Sequence, residues 1–412
     1  MARPALVDQL IAAFAEIPVI DAHEHLPPEH VRTGRKVDVF TLFSHYTHLD
    51  QTTAGLSEAD YQRVHDPDLP LDLRWKLFAP ILANIRYGSY ARPAFIAARE
   101  FYGFDDINEE TYQPLSEAMA AGNTEGIYRR VLVEKCGIKA ALTQAARTDY
   151  DDGLLIPLMP LDTYAGVSTW PQIAQRGLEV DDEAPDSLDE YLEMTREGLR
   201  KWKGGNVVGL KMVSRTYGPP SRAQAFELFE NLRNGSCPSL PEMNPLRDFL
   251  MESMLDMAAE EGLVVAVHTG MWGDFRTLDP QHMIPIIQRH PATRFDVYHA
   301  GMPWVRETGV IGKNHANVWL NLCWCHIISP KMTRSLLDEW IDMVPVNKII
   351  GFGGDYCDPV EKVYGHLLMA RENIAYVLAG RIDEGLIDLD EALLLARKWF
   401  YENPKELYRL TA

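Results

Sequence analysis

The chain has 412 residues, of which 46% are hydrophobic and 24% charged, which is enough for a large buried core. Its formal net charge of -19 repels polyanions, so we expect no nucleic-acid partner. No apolar run approaches the roughly 18 residues of a membrane span. The five cysteines are too sparse for a disulfide framework. Together these features predict a cytoplasmic protein with reduced thiols and no membrane attachment.

Short β-branched or apolar runs alternate with longer amphipathic stretches along the chain. This alternation is typical of repeated βα units, and eight such runs favour a closed parallel barrel over an open doubly wound sheet. The sequence therefore predicts a single distorted (β/α)8 TIM barrel over residues 1–412. The predicted strands are Val19–Ala22, Lys139–Thr143, Leu155–Pro160, Val207–Val213, Leu263–Val267, Arg294–Tyr298, Val318–Leu322 and Lys348–Phe352.

The spacing between the first and second predicted strands is much longer than the other spacings. Residues 26–137 include helix-like patterns over Leu73–Tyr87 and Ala91–Tyr102. A segment of this length is too long for a simple loop, so we expect an inserted helical subdomain over the barrel mouth. After the last strand, Val363–Leu378 and Leu389–Leu410 predict helices, with a break near Pro404.

Metal-binding side chains follow several of the predicted strands. Catalytic groups of parallel barrels lie at the carboxyl ends of the strands, so these side chains should meet at one rim. The first strand ends in His-x-His, a spacing that places both imidazoles on the same face of an extended segment. The candidates at the strand ends are His23, His25, Lys211, His268, His299 and Asp355.

Imidazoles and a carboxylate are ligands that suit Zn²⁺, with Mn²⁺ or Fe²⁺ as alternatives. We assign the metal ligands as His23, His25, His268 and Asp355. Asp355 would also accept a proton from a metal-activated water. His299 either binds a second metal or polarises the substrate and moves a proton.

This arrangement of ligands resembles the amidohydrolase superfamily, over most of the chain. The resemblance rests on the His-x-His of the first strand, single histidines after the fifth and sixth strands, and Asp355 after the eighth. It implies a distorted barrel and a metal-activated water that attacks an amide, a lactone or a similar carbon. The superfamily also includes decarboxylases and uronate isomerases, so it leaves the reaction open.

The long insertion is similar to that of uronate isomerases in particular. Ser44-His45-Tyr46 resembles their His-Tyr pair, and Arg276 follows His268 as it does there. Two features depart from the isomerase pattern: Cys357 stands where isomerases have an arginine, and His299 is not expected on their sixth strand. Isomerase activity is therefore our second hypothesis, after hydrolysis.

The role of Lys211 has three alternatives. In binuclear relatives a lysine at this position is carbamylated and bridges two metals, so a second metal would accompany that modification. In mononuclear relatives the lysine contacts a substrate carboxylate. The third alternative is a structural ion pair.

Cationic and aromatic residues after the strands predict a small carboxylated or hydroxylated substrate. The substrate-side candidates are His45, Tyr46, Arg215, Trp272 and Arg276. The alternative for each arginine is an ion pair with an acidic neighbour in this acidic chain.

The sequence thus predicts a metal-dependent hydrolase of a small organic substrate. The alternatives are a uronate isomerase, a non-hydrolytic decarboxylase and an inactive metal-binding scaffold. By analogy with other barrel proteins, we expect a homo-oligomer.

Overall fold

The computed structural model describes residues 3–144, 146–150 and 153–411. Its centre is a sheet of eight parallel strands whose spatial order follows their order in the chain. The sheet closes where the Ala22 N–H donates to the Phe352 carbonyl at 3.1 Å. The predicted TIM barrel is confirmed. The strands are β1 (Val19–Glu24), β2 (Ile138–Thr143), β3 (Leu155–Pro160), β4 (Gly209–Val213), β5 (Val264–His268), β6 (Arg294–Val297), β7 (Val318–Asn321) and β8 (Ile349–Ile350).

Alternate residues of the strands fill the barrel interior. Ile20 and Ala22 of β1 and Val264 and Ala266 of β5 belong to one buried apolar cluster, as the two-residue period of a strand requires. Tyr408, in the last helix, reaches the same cluster, and its hydroxyl donates to the Asp296 carboxylate at 2.7 Å. The barrel is therefore a packed core, and its ligand-binding chemistry is confined to the rim.

Helices surround the barrel and several begin at residues whose side chains cap the first turn. Ser187, Ser221 and Asn244 each accept a hydrogen bond from a backbone N–H three residues later. Among the described residues, no helix is long and apolar enough to cross a membrane. The α-helices outside the β1–β2 connection are Ala5–Ala15, Asp162–Ala165, Trp170–Asp181, Leu188–Gly204, Arg222–Arg233, Pro245–Glu261, Ile284–Arg289, Val305–Asn314, Cys325–Ile328, Pro330–Met343, Glu361–Asp383, Leu389–Arg397 and Asn403–Tyr408.

The connection between β1 and β2 is helical along most of its length. It has its own buried apolar cluster, which includes Phe40, Phe43, Trp75 and Phe78. Arg74, predicted within this segment, pairs with Asp38 at 2.6 Å. The division of the chain into a barrel and an inserted subdomain stays a prediction. The α-helices of the segment are Glu29–Thr33, Thr47–Thr53, Glu58–His65, Leu71–Ile85, Arg92–Tyr102 and Tyr112–Gly122, with a 3-10 helix at Val39–Phe43 and a π-helix at Arg129–Lys135.

The C-terminal helix does not break at Pro404 as the sequence suggests. Instead, a π-helical turn over Lys398–Glu402 joins Leu389–Arg397 directly to Asn403–Tyr408. The proline stands in the first turn of the last helix, where its missing N–H costs nothing. The wider turn accommodates the proline and keeps the chain helical.

Candidate metal centre at the barrel rim

The predicted site residues meet at the carboxyl ends of the strands. His23 lies in β1, His25 directly follows it, and Lys211 lies in β4. The remaining three are His268, the last residue of β5; His299, in a 3-10 turn after β6; and Asp355, in the loop after β8.

Two imidazoles converge on one oxygen of Asp355. The Nε2 atoms of His23 and His25 each lie 3.2 Å from Asp355 Oδ1. Ligand atoms of these three residues all fall within 4.8 Å of one another, as a metal site requires. His23 and Asp355 are buried, and His25 is partly open to solvent. The centre therefore has a closed side within the barrel and one side open to a substrate.

The protonation of these groups fits a divalent cation. His25 Nδ1 donates to the Gln144 carbonyl at 2.7 Å, which leaves the Nε2 lone pair turned toward Asp355. Burial, together with the nearby Lys211 charge, lowers the pKa of His23 well below its usual value. Burial alone would raise the pKa of Asp355, but its interactions with His23 and His25 hold that pKa well below its usual value. Neutral imidazoles and an ionised carboxylate are the ligand forms that metals bind.

His268 and His299 form a hydrogen-bonded chain beside this cluster. His299 Nδ1 lies 3.1 Å from the Cys323 carbonyl and therefore donates to it. His299 Nε2 then accepts from His268 Nδ1 at 2.9 Å. This order leaves His268 Nε2 as a lone pair, and that buried atom has no hydrogen-bond partner among the described residues. His268 is thus prepared to bind a metal through Nε2, while His299 orients it.

Lys211 lies directly beside the cluster. Its Nζ is 3.3 Å from His23 Nε2 and 3.9 Å from the centre of the Tyr298 ring. Burial lowers the pKa of Lys211 to about 8. A lysine with such a pKa carries an appreciable fraction of neutral amine at neutral pH, which is the form that reacts with carbon dioxide. The geometry is compatible with carbamylation and with contact to a substrate carboxylate, whereas among the described residues no carboxylate lies within 4.0 Å of Nζ to form the ion pair.

Four residues at this rim have left-handed backbone conformations. They are His45, His299, Trp324 and Asp355, with φ values between 62° and 65°. Each such non-glycine residue costs roughly 1 kcal/mol or more, and surrounding structure must hold it in place. Two glycines before Asp355 let the loop after β8 pack closely against its neighbours. A Cβ on Gly353 would overlap Cys323, and one on Gly354 would overlap the Glu24 carboxylate. The glycine run before Asp355 thus serves close packing.

Two predicted substrate-side residues of the insertion reach the rim. His45 Nε2 lies 3.6 Å from Cys357 Sγ, and the Tyr46 ring stacks on Trp324 with centroids 4.5 Å apart. Burial and the adjacent Asp355 carboxylate raise the pKa of Tyr46 well above its usual value. The insertion therefore contributes an aromatic wall next to the metal ligands.

The other substrate-side candidates lie further out. Trp272 is 65% exposed, with its ring 5.6 Å from that of His268. Arg276 is highly exposed and pairs with Asp274 at 2.6 Å. Arg215 pairs with Glu242 at 3.0 Å. Both arginines thus have the acidic partners that the alternative interpretation expected, and a substrate would compete with those partners.

Comparison with known proteins places the chain in a family. Residues 179–410 match the model of a family described as Amidohydrolase. The chain belongs to this amidohydrolase family. The match covers β4 to β8 and therefore Lys211, His268, His299 and Asp355, while His23 and His25 lie before it.

Solved structures resemble the amidohydrolase along its whole length. A uronate isomerase from Thermotoga maritima aligns with a TM-score of 0.80, at 15% identity, over 98% of both chains. A glucuronate isomerase from Caulobacter crescentus aligns with a TM-score of 0.77, at 18% identity, over 99% of this chain and 94% of that one. At these identities the similarity establishes the fold alone.

One curated relative is the protein fluG of Emericella nidulans. It is 24% identical over 178 residues, which is 41% of this amidohydrolase and 20% of fluG. The match therefore spans a fifth of that protein's length.

Sequence reasoning missed several residues that surround the centre. Glu24 was treated as a spacer between two ligands, yet it is fully buried and binds the loop after β8. Tyr356 and Lys362 are also fully buried beside the centre. The sequence does offer a signal for Lys362, because a charged residue in an apolar helix such as Glu361–Asp383 indicates a buried polar site.

Proposed function

We propose that this amidohydrolase is a metal-dependent hydrolase that acts on a small carboxylated substrate. One observation carries the proposal: both imidazoles approach a single oxygen of Asp355, while its Oδ2 lies 3.8 Å from His299 Nδ1. One carboxylate oxygen can therefore serve the metal site, and the other remains available to accept a proton.

The residues that would hold the metal are His23, His25, His268 and Asp355. The donor set fits Zn²⁺, with Mn²⁺ or Fe²⁺ as alternatives. When bound, such a cation lowers the pKa of a coordinated water and polarises a substrate oxygen. A second cation would require Lys211 to be carbamylated.

Each neighbouring group has a task in the proposed reaction. Asp355 takes a proton from the attacking water and passes it to the leaving group. His299, neutral because burial holds its pKa well below the usual value, orients His268 through the hydrogen bond between the two imidazoles. Lys211, close to His23, stabilises the negative charge that develops on the substrate.

Uronate isomerisation is the second candidate, and a specific feature of the site favours it. His45 and Tyr46 of the insertion reach the metal ligands, as the resemblance to uronate isomerases implies. Against it, the thiol of Cys357 occupies the position where that resemblance expects an arginine. Hydrolysis does not require a cation at that position, and it is therefore our first proposal.

An isotope experiment separates the candidate reactions. Metal-loaded protein is incubated with a panel of lactones, amides and uronates in water enriched in both ¹⁸O and deuterium. Hydrolysis places ¹⁸O in the product carboxyl group. Deuterium at C2 of a uronate without net uptake of water would overturn the proposal in favour of isomerisation, and release of carbon dioxide would indicate a decarboxylase. The matched control is Asp355→Asn, which keeps the shape of the side chain and loses its charge.

The remaining assignments belong to the same proposal. We infer a cytoplasmic location, a small-molecule substrate and a homo-oligomeric assembly. The supporting observations are the five free cysteines and the acidic surface charge.

A further inference from the structure

Lys362 is a buried cation with an unusual environment. It stands in the first turn of the helix Glu361–Asp383 and has no exposed surface. Among the described residues, its Nζ has no hydrogen-bond partner and no carboxylate within 4.0 Å. The neighbouring Glu361 is engaged elsewhere, by Arg32 at 3.0 Å and by the Tyr102 hydroxyl at 2.7 Å. A buried ammonium without a partner is costly and therefore requires an explanation.

Two further polar atoms near Lys362 are also buried without partners. Lys362 Nζ lies 5.2 Å from the centre of the Tyr356 ring, and the Tyr356 hydroxyl is unpaired among the described residues. The Tyr46 ring lies 6.1 Å from that of Tyr356 and 3.9 Å from that of His45. His45 Nδ1 is the second unpaired atom. These side chains form a continuous group, and one of them, Tyr356, directly follows Asp355 in the chain.

Each unpaired atom of this group can act as a hydrogen-bond donor. The Cys357 thiol lies 3.6 Å from His45 Nε2, and we assign the tautomer in which the thiol donates to that nitrogen. His45 Nδ1 must then carry the other ring proton and act as a donor. The Lys362 ammonium is a donor only, and the Tyr356 hydroxyl can donate. Lys362 also stands where the positive end of a 23-residue helix favours negative charge.

We propose that Lys362, His45 and the Tyr356 hydroxyl form a pocket that binds the carboxylate of the substrate beside the metal centre. This inference rests on the proposed function, because it names the group by which the hydrolase would recognise its substrate. A carboxylate has two acceptor oxygens and a negative charge, which would satisfy the unpaired donors together. The pocket is a binding site, and the reacting bond would lie toward His268 and Asp355.

Space for a ligand lies near this arrangement, because a cavity of about 250 Å³ is lined by Ser44 and Asp358, the chain neighbours of His45 and Cys357. Burial also lowers the pKa of Lys362 to about 7, although Asp50 partly opposes the effect. An arriving anion would favour the charged form of the amine.

Binding measurements on the metal-loaded, full-length protein test the proposal. The probes are acetate, malonate and D-glucuronate, each compared with its neutral amide by calorimetry. We expect the wild type to bind at least one carboxylate tenfold or more tightly than its amide. Lys362→Met should abolish that preference and leave the metal content unchanged. The matched control is Lys348→Met, which replaces a lysine that lies over the Trp319 ring directly before β8 and should keep the preference.

Each other outcome is informative. If the wild type shows no preference for carboxylates, or if Lys362→Met retains it, the proposal is overturned. A structural ion pair with Asp50 would instead make Lys362→Met less stable, whereas removal of an unpaired buried charge should preserve or raise the melting temperature. If Lys362→Met fails to fold, Lys362→Gln and Tyr356→Phe test the same preference.

The two proposals can fail separately. Binding requires no turnover, so a lost carboxylate preference in Lys362→Met would support the pocket even if no hydrolysis were found. Conversely, the wild type could hydrolyse neutral substrates and show no preference for carboxylates. That result would support the proposed hydrolase activity and overturn the proposed carboxylate pocket.

Discussion

The Glu24 carboxylate accepts a hydrogen bond from the backbone N–H of Tyr356 at 2.6 Å. This bond is one of three that consecutive backbone N–H groups of the loop after β8 donate to β1. The Gly354 N–H donates to Asp21 Oδ1 at 3.0 Å, and the Asp355 N–H donates to the His23 carbonyl at 2.8 Å. Three consecutive backbone donors thus fix Asp355, in its left-handed conformation, against the strand that carries its partner ligands.

Loss of the Glu24 carboxylate should weaken metal binding. Glu24→Ala removes the acceptor of the Tyr356 N–H, so Asp355 becomes free to move away from His23. We expect metal affinity to fall about 10- to 100-fold, as for other groups that orient metal ligands. Competition with a chromogenic chelator measures the affinity. Glu24→Gln retains an acceptor oxygen and should lose less metal affinity than Glu24→Ala. Equal metal affinities for wild type and Glu24→Ala would refute this role of Glu24.

Removal of a direct ligand should have a larger effect. His23→Ala and Asp355→Ala each delete one partner of the 3.2 Å contact between His23 Nε2 and Asp355 Oδ1, the atoms proposed to bind the metal. We expect bound metal and activity to be lost while far-ultraviolet circular dichroism remains that of the wild type. Elemental analysis of protein purified without chelators gives the metal content. His30→Ala, on the exposed surface of the insertion, is the control and should retain its metal; metal retention by both ligand variants would contradict the site.

The metal count decides the role of Lys211. With Lys211 as an unmodified amine, we expect one metal per chain in the wild type and in Lys211→Met, with activity reduced at least tenfold in the variant because charge stabilisation is lost. A carbamylated lysine would give two metals, of which Lys211→Met loses at least one. Elemental analysis, together with ¹³C spectra of protein grown with labelled bicarbonate, distinguishes these results.

A separate prediction concerns pH-dependent stability away from the rim. His290 lies 2.7 Å from Asp256 and 3.0 Å from Glu252. Burial lowers its pKa, but the hydrogen bonds to Glu252 and Asp256 prevail and raise it above the usual value. Because the folded pKa is raised, the stabilisation is complete below about pH 6.5 and is lost as the pH rises through the folded pKa.

His290→Gln should therefore destabilise the protein most at low pH. We expect a loss of about 1–2 kcal/mol in the free energy of unfolding at pH 5.5, and a smaller loss at pH 8.5. Urea denaturation of wild type and variant at both values measures the difference. A pH-independent loss would mean that the imidazole contributes by packing and neutral hydrogen bonds alone.

Much of the barrel could be predicted because its signals are local. Buried parallel strands appear as short β-branched runs, and a closed barrel brings the ends of all its strands to one rim. His23, Lys211, His268 and Asp355 could therefore be grouped before any coordinates were available. Element ends were predicted less well: β8 has only two residues, because the glycine run after Ile350 bends away to pack against Trp399 and Cys323.

The sequence by itself determined which ligands the rim offers, since strand order and residue type are properties of the chain. Only the tertiary structure decided how those ligands are held. The hydrogen bonds of Glu24 and the left-handed conformation of Asp355 depend on segments hundreds of residues apart. The same holds for the burial of Lys362 without a hydrogen-bond partner among the residues that the structure describes. Arg215 and Arg276, plausible substrate ligands by sequence, lie in ion pairs with nearby carboxylates. Local periodicity encodes the elements, whereas contacts between distant segments fix the orientation and charge of each side chain in the site.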